Sequence, residues 1–168
     1  EGLFMRALLV IGLLTLSACG SPEAPPSTTT AETPASTTAA APATTETADR
    51  QAEIAELAAP YNQANYEAGR RVFAQCRACH VIEAGAPNRV GPNLHGVFGR
   101  EIGTAPGFTY SQPVQDANFV WDAEHLDHWL QNPQTFLPGN RMAFAGVRDE
   151  TQRRDLIAYL MVEAEPED

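Results

Sequence analysis

Cys76-Arg77-Ala78-Cys79-His80 is where the types and spacing of residues speak most directly of chemistry. Thiols three residues apart share one face of a helical turn, so both can add to the vinyl groups along one edge of a porphyrin. The next residue then sets an imidazole over the metal, and Cys-x-x-Cys-His is the attachment pattern of a covalently held haem. Two rivals use the same residues. A redox dithiol of this spacing belongs in a β-α-β setting, and no strand pattern stands out. A closed zinc site wants four ligands, and only His95, His125 and His128 remain to complete one.

A haem iron offers a second axial position. Met142 follows Leu137-Pro138-Gly139-Asn140-Arg141, a turn-rich segment able to bend a side chain inward. A lone methionine is commonly core filler, and His95, His125 or His128 would make a bis-histidine site instead. His125 and His128 lie among acids, where a solvated helix face is the expected role. A Met/His pair raises the reduction potential relative to two nitrogens.

The elements that must position these groups read as helices. Asn65 can cap a helix that runs toward Cys76 and carries Tyr66, Gly69, Val72 and Phe73. Residues 51–59 form a short helical pattern before Pro60, and 84–115 are rich in Gly and Pro and read as loops. Asp122 can cap a helix through Leu130 with Leu126, Trp129 and Leu130 inward, and Asn132-Pro133 opens a short helix. Asp149 with Gln152 resembles a capping box, opening a last helix whose apolar set is Leu156, Ile157, Tyr159, Leu160 and Met161. The expected fold is a small all-α domain with long loops, of a size and loop content that call for a large apolar object or a staple at its centre.

Three zones divide the 168 residues. Residues 1–18 read as a signal peptide: Met5-Arg6 is a short basic start, and 7–16 are an apolar run too short to span a bilayer. Leu16-Ser17-Ala18-Cys19 resembles the lipobox of bacterial lipoproteins, which implies cleavage before Cys19 and acylation of its thiol. Ordinary secretory cleavage near Ala18, leaving a stray cysteine, is the alternative. Residues 19–50 are rich in Thr, Ala, Pro and Ser and lack aromatic side chains, so they are expected to form a disordered tether with a reach of at most about 90 Å. Residues 51–168 form the globular part. The formal net charge of -10 excludes nucleic acid as a partner. Every fixed cation is arginine, and the chain has no lysine.

Residues 64–164 closely resemble class I cytochrome c, above all the mitochondrial type and its alphaproteobacterial relatives. The motifs that carry the resemblance are Gly69 and Phe73 ahead of the Cys-x-x-Cys-His stretch, Gly91-Pro92-Asn93-Leu94-His95-Gly96, Phe98-Gly99-Arg100 and Ala105-Pro106-Gly107-Phe108-Thr109-Tyr110. Trp121, Asn132-Pro133, residues 137–142, Phe144-Ala145-Gly146 and residues 155–160 continue the series. The resemblance implies one covalent haem c at Cys76 and Cys79, with His80 and Met142 on the iron. It implies that the Pro92 carbonyl orients His80, that Arg100, Tyr110 and Trp121 bury a haem propionate, and that Asn140 serves the second one. Gly69 and Phe73 should pack the first helix of the family's fold on the last, at Leu156 and Tyr159. Two departures make the methionine side more apolar: Trp129 where the mitochondrial type has tyrosine, and Val114 where it has asparagine.

The function this implies is one-electron transfer between membrane-bound redox complexes, for example from a cytochrome bc complex to a terminal oxidase or a photosynthetic reaction centre. The carrier would be a monomer, lipid-anchored on the periplasmic side of a bacterial membrane, and no enzyme. Two alternatives stand beside it: a haem enzyme whose loosely held Met142 admits peroxide or a gas, and a dedicated donor to one periplasmic enzyme. Arg77, Arg89, Arg141 and Arg148 are expected to leave only a thin positive patch, so a tether would substitute for long-range steering.

Overall fold

A computed structural model of the chain describes residues 45–165. Within them the chain forms α1 (Thr45–Ala55), a 3-10 turn (Tyr61–Gln63), α2 (Tyr66–Phe73), α3 (Gln112–Asp116), α4 (Ala123–Gln131), α5 (Pro133–Phe136) and α6 (Glu150–Glu163). The one β feature among the described residues is an isolated antiparallel bridge between Glu101 and Val120. The fold is all-α, as expected.

Four helices start where a short polar side chain takes up an orphan backbone N–H. The side chains of Asn65, Asp122, Asn132 and Asp149 accept from the N–H groups of Ala68, His125, Thr135 and Gln152. These are the caps expected from sequence. α2 and α6 cross in direct contact at Gly69, where an added Cβ would lie 2.7 Å from Tyr159 Cβ. Glycine lets the two backbones meet, and Phe73, Leu156, Ile157 and Tyr159 are fully buried around the crossing. The Phe73 and Tyr66 rings pack on Tyr159 with centroids 5.3 and 5.4 Å away. Asp155 Oδ1 also accepts from the Asn65 N–H (3.1 Å), tying the start of α2 to α6.

Arg153 fastens α6 to the rest. It is 5% exposed. Its Nε donates to Asp127 Oδ1 on α4 (2.8 Å), and its Nη1 donates to the Val147 and Arg148 carbonyls (3.1 and 2.9 Å). The segment that follows Met142 is thereby fixed, and the Val147 N–H, bonded to the Leu130 carbonyl at 2.7 Å, seats it on α4.

Two elements differ from expectation. α1 begins at Thr45, inside the stretch assigned to the tether, rather than at Gln51. Composition alone does not favour a helix there, but tertiary contacts do. Gln51 Nε2 donates to the Ala64 carbonyl (3.0 Å), and Gln51 Oε1 accepts from the Tyr66 N–H (2.9 Å). Arg50 Nε pairs with Glu163 Oε1 at 3.2 Å, and Ile54 is wholly buried. α3 interrupts the stretch expected to be loop, with Pro113 in its first turn and Val114 turned into the core. No helix among the described residues is long and apolar enough to cross a membrane.

Candidate haem-binding site

α2 delivers its C-terminal end directly into the paired cysteines. The Cys76 N–H bonds to the Phe73 carbonyl (2.8 Å), and the Cys79 and His80 N–H groups both bond to the Cys76 carbonyl (3.0 and 2.9 Å). Residues 76–80 therefore make one further helical turn, which is what thiols three apart need to share a face. Both thiols are free and half-buried. Burial, and then the neighbouring Cys79, push the Cys76 thiol up to about 11. It keeps its proton at neutral pH and is not an activated thiolate.

His80 is fixed from two sides. Its Nδ1 lies 2.8 Å from the Pro92 carbonyl oxygen. A carbonyl can only accept, so Nδ1 carries the proton and the Nε2 lone pair stays available to a metal. Burial lowers the imidazole pKa, against a smaller upward pull from the Pro92 bond, and the neutral ligand form is favoured. The ring also lies flat against Gly91, where a Cβ would stand 2.7 Å from Nδ1 and 2.8 Å from Nε2. The Gly91 N–H bonds to the Cys79 carbonyl (2.9 Å), so the two segments that hold the imidazole are joined to each other. Asn93 braces the loop behind them, its Nδ2 donating to the Glu83 and Ala86 carbonyls, both at 2.9 Å.

From Asn93 the polar framework leads to Arg100. The guanidinium donates to the carbonyls of His95 (Nη1, 3.1 Å) and Asn93 (Nη2, 3.2 Å). It is half-buried, burial lowers its pKa, and no carboxylate among the described residues pairs with it. Backbone bonds set Trp121 beside it: the Trp121 N–H donates to the Arg100 carbonyl and the Gly99 N–H to the Trp121 carbonyl, both at 2.9 Å. Burial raises the phenol pKa of Tyr110, against smaller downward pulls from a backbone bond at Ala105 and from the nearby Arg100. Edge-on contacts then join Trp121 to Trp129 (5.4 Å) and Trp129 to Phe136 (6.0 Å), reaching α5. Arg141 Nη2 donates to the Thr109 carbonyl at 2.6 Å, which closes the Met142 loop onto the Tyr110 loop.

Residues 76–80, Gly91, Asn93, Arg100, Trp121 and Trp129 are thus joined by hydrogen bonds and ring contacts. Asn140 was expected to donate to a propionate, but both of its amide hydrogens are engaged inside its own loop. They reach the Pro133 (2.7 Å) and Leu137 (2.8 Å) carbonyls, so Asn140 has no donor left for an outside anion. Ser111 is the residue that sequence reasoning missed. Its Oγ is buried without a partner, although the residue sits at the head of α3 where a cap bond is usual. A hydroxyl directly after Tyr110 was the available signal. Of the rival ligands, His125 stacks on Phe119 (4.5 Å between centroids) and meets Asp122 Oδ1 at 2.8 Å, while His128 is exposed. Cys19 lies outside the described residues.

These features suit a haem. Two thiols stand on one helical turn, a neutral imidazole presents Nε2, and a half-buried guanidinium without a carboxylate partner and an orphan hydroxyl are suited to an anion. No protein-family model matches the chain. Individual relatives do. The chain is 41% identical to cytochrome c of Kluyveromyces lactis over 106 residues, which is 62% of this chain and 96% of that protein. It is 42% identical to cytochrome c2 of Blastochloris viridis over 107 residues, 64% of this chain and 84% of that one.

The chain belongs to the class I cytochrome c family. Cytochrome c-550 of Ancylobacter novellus is a further relative, 45% identical over 95 residues, 55% of this chain and 89% of its own. As a cytochrome c the chain carries one covalently bound haem c and works as a monohaem electron carrier rather than as an enzyme. In this chain α2 packs on α6 at Gly69, and the long stretch between α2 and α4 carries His80, Gly91, Arg100, Tyr110 and Trp121.

Proposed function

We propose that this cytochrome c is a membrane-tethered shuttle on the periplasmic side of a bacterial membrane. It would take single electrons from a cytochrome bc complex and deliver them to a terminal oxidase or a photosynthetic reaction centre, acting as a monomer. The observation that carries the site assignment is the His80 imidazole, held by the Pro92 carbonyl and by Gly91 one residue after the paired thiols. In this reading Cys76 and Cys79 would hold the haem by thioethers, and His80 and Met142 would bind its iron. Arg100, Tyr110, Trp121 and Ser111 serve a propionate, with Trp129 walling the methionine side.

When bound, the haem supplies a one-electron iron couple. The chain supplies everything that makes the couple usable. His80 Nδ1–H on Pro92 fixes the tautomer and the ring orientation. Arg100 would offset the charge of a haem propionate, which otherwise costs free energy to desolvate. Held by His80 and Met142 together, the iron would have no open position for a substrate.

Residues 1–18 are read as the signal, Cys19 as the acylated terminus and the following residues as the tether, now ending where α1 begins. The charge pattern supports tethering over steering. The chain carries 21 acidic against 11 basic side chains, so no net positive field is left to guide it onto an acidic partner.

Intact mass and visible spectra of protein purified from membranes test the whole reading. Expected are one haem mass that survives acidified acetone, the added mass of acyl chains on a polypeptide starting at Cys19, and a weak far-red sulfur-to-iron band in the oxidised form. Extractable haem would overturn the thioether assignment, and an unacylated terminus would overturn the anchor. For the shuttle itself, a form beginning at Thr44, which keeps α1, should transfer electrons more slowly than the anchored protein at low concentration. Equal rates would remove the case for tethering.

A further inference from the structure

Met142 sits on a loop that backbone hydrogen bonds alone hold poorly. Between the end of α5 and Met142 the backbone contributes a turn, from the Asn140 N–H to the Leu137 carbonyl at 3.2 Å. The Met142 N–H has a side-chain partner instead, Asn140 Oδ1 at 2.9 Å.

Asn140 is a buried polar residue, 7% exposed. Its Nδ2 donates to Pro133 in the first turn of α5 (2.7 Å) and to Leu137 (2.8 Å), and its Oδ1 accepts from the Met142 N–H and from Gln134 Nε2 (3.2 Å). Two hydrogens given and two bonds accepted saturate a primary amide. Because Nδ2 faces two carbonyls and Oδ1 faces a backbone N–H, the orientation of the amide is unambiguous. Gln134 adds a second bridge from α5: the two hydrogens of its Nε2 are shared among Asn140 Oδ1, the Asn140 carbonyl (3.2 Å) and the Met142 carbonyl (3.1 Å). A threonine at position 140 has one donor and could not bridge Pro133 and Leu137 together. A lysine at position 134 would carry its charge into water.

We infer that Asn140 and Gln134 form an amide clamp that holds the Met142 loop closed on α5 and thereby sets how often Met142 leaves the iron. They are positioning residues acting through Met142, and the inference rests on the proposal that Met142 is an axial ligand.

Imidazole binding to the oxidised holoprotein reads loop opening directly, because imidazole can take the sixth position only after Met142 departs. The far-red band reports the loss of sulfur, and the rate at saturating imidazole reports opening. Gln134→Leu alters an exposed position and should raise that rate about 3- to 10-fold, as one net hydrogen bond is lost. Asn140→Ala removes several bonds and should raise it about 30- to 100-fold, with Asn140→Thr in between. Urea midpoints of the same variants separate the clamp from a general loss of stability, since a purely structural role lowers the midpoint without raising the opening rate. If Gln134→Leu and Asn140→Thr keep the far-red band and bind imidazole at the parental rate, the clamp is refuted while the ligand assignment stands. If the parent protein itself lacks the band, the ligand assignment fails and takes the clamp with it. Should Asn140→Ala not fold, Gln134→Leu alone decides between these outcomes.

Discussion

Replacing Gly69 with alanine sets two opposing effects against each other at the α2–α6 crossing. Alanine inside a helix is favoured over glycine by about 0.5–1 kcal/mol. The new methyl group, however, would stand 2.7 Å from Tyr159 Cβ and 2.8 Å from the Asp155 carbonyl carbon, with the Asp155 carbonyl oxygen closer still. Carbon atoms in contact rest about 3.5–4.0 Å apart, so the helices must separate by roughly 1 Å. They would part along a face where Phe73, Leu156 and Tyr159 are at most 1% exposed. Overpacking costs about 1–3 kcal/mol, and the upper end applies because the obstacle is helix backbone, which has no rotamer to escape into. The clash therefore wins, by about 2 kcal/mol, which for a domain of this size lowers the Tm by about 6–12 °C. Thermal unfolding of the holoprotein, followed by far-ultraviolet circular dichroism, measures it. An unchanged or higher Tm would mean that helix propensity dominates and that the helices do not meet at Gly69, which refutes the reasoning.

Three further outcomes follow from particular contacts. Gly91→Ala places a methyl group against the His80 ring and should displace it from Pro92, at a cost of about 1–3 kcal/mol; haem loading and reduction potential should both change, and parental values for both would contradict the packing. Arg153→Leu leaves Asp127 and the Val147 and Arg148 carbonyls without their donor; urea denaturation should show a loss of about 2–4 kcal/mol, and a loss under 1 kcal/mol would mean water replaces the bonds readily. Asp122 is held below the ordinary carboxylate value, first by the His125 N–H and then by the His125 side chain. A depressed carboxylate stabilises the fold fully above its unfolded pKa, and that contribution is lost as pH falls through the folded value. The urea midpoint should therefore fall less steeply from about pH 5 to pH 3 in Asp122→Asn, which keeps the cap, than in the parent; identical slopes would refute this.

Much of this fold was legible because its signals are local. Asn65, Asp122, Asn132 and Asp149 each satisfy an N–H three residues ahead, and a cap of that kind is written in consecutive residues. The Cys76-Arg77-Ala78-Cys79-His80 turn is legible for the same reason. What escaped depends on partners far along the chain. α1 gains its first turns from Glu67, Ala64, Tyr66 and Glu163, none of which its own composition reveals. α3 is a single turn whose Ser111 looks like a cap and does not act as one. The amide of Asn140 reaches back to Pro133, and nothing in the turn-rich residues 137–142 marks that bond against a bond to an outside anion.

α1 also has a mechanical consequence. It is attached to the body of the protein by one fully buried side chain, Ile54, and a handful of polar stitches at Thr47, Arg50 and Gln51. Tension entering the chain ahead of Thr45 reaches those stitches before it reaches Asn65 and the α2–α6 crossing. α1 is therefore a fuse: under load it can peel away and give up its own length of chain while the turn carrying Cys76, Cys79 and His80 stays intact.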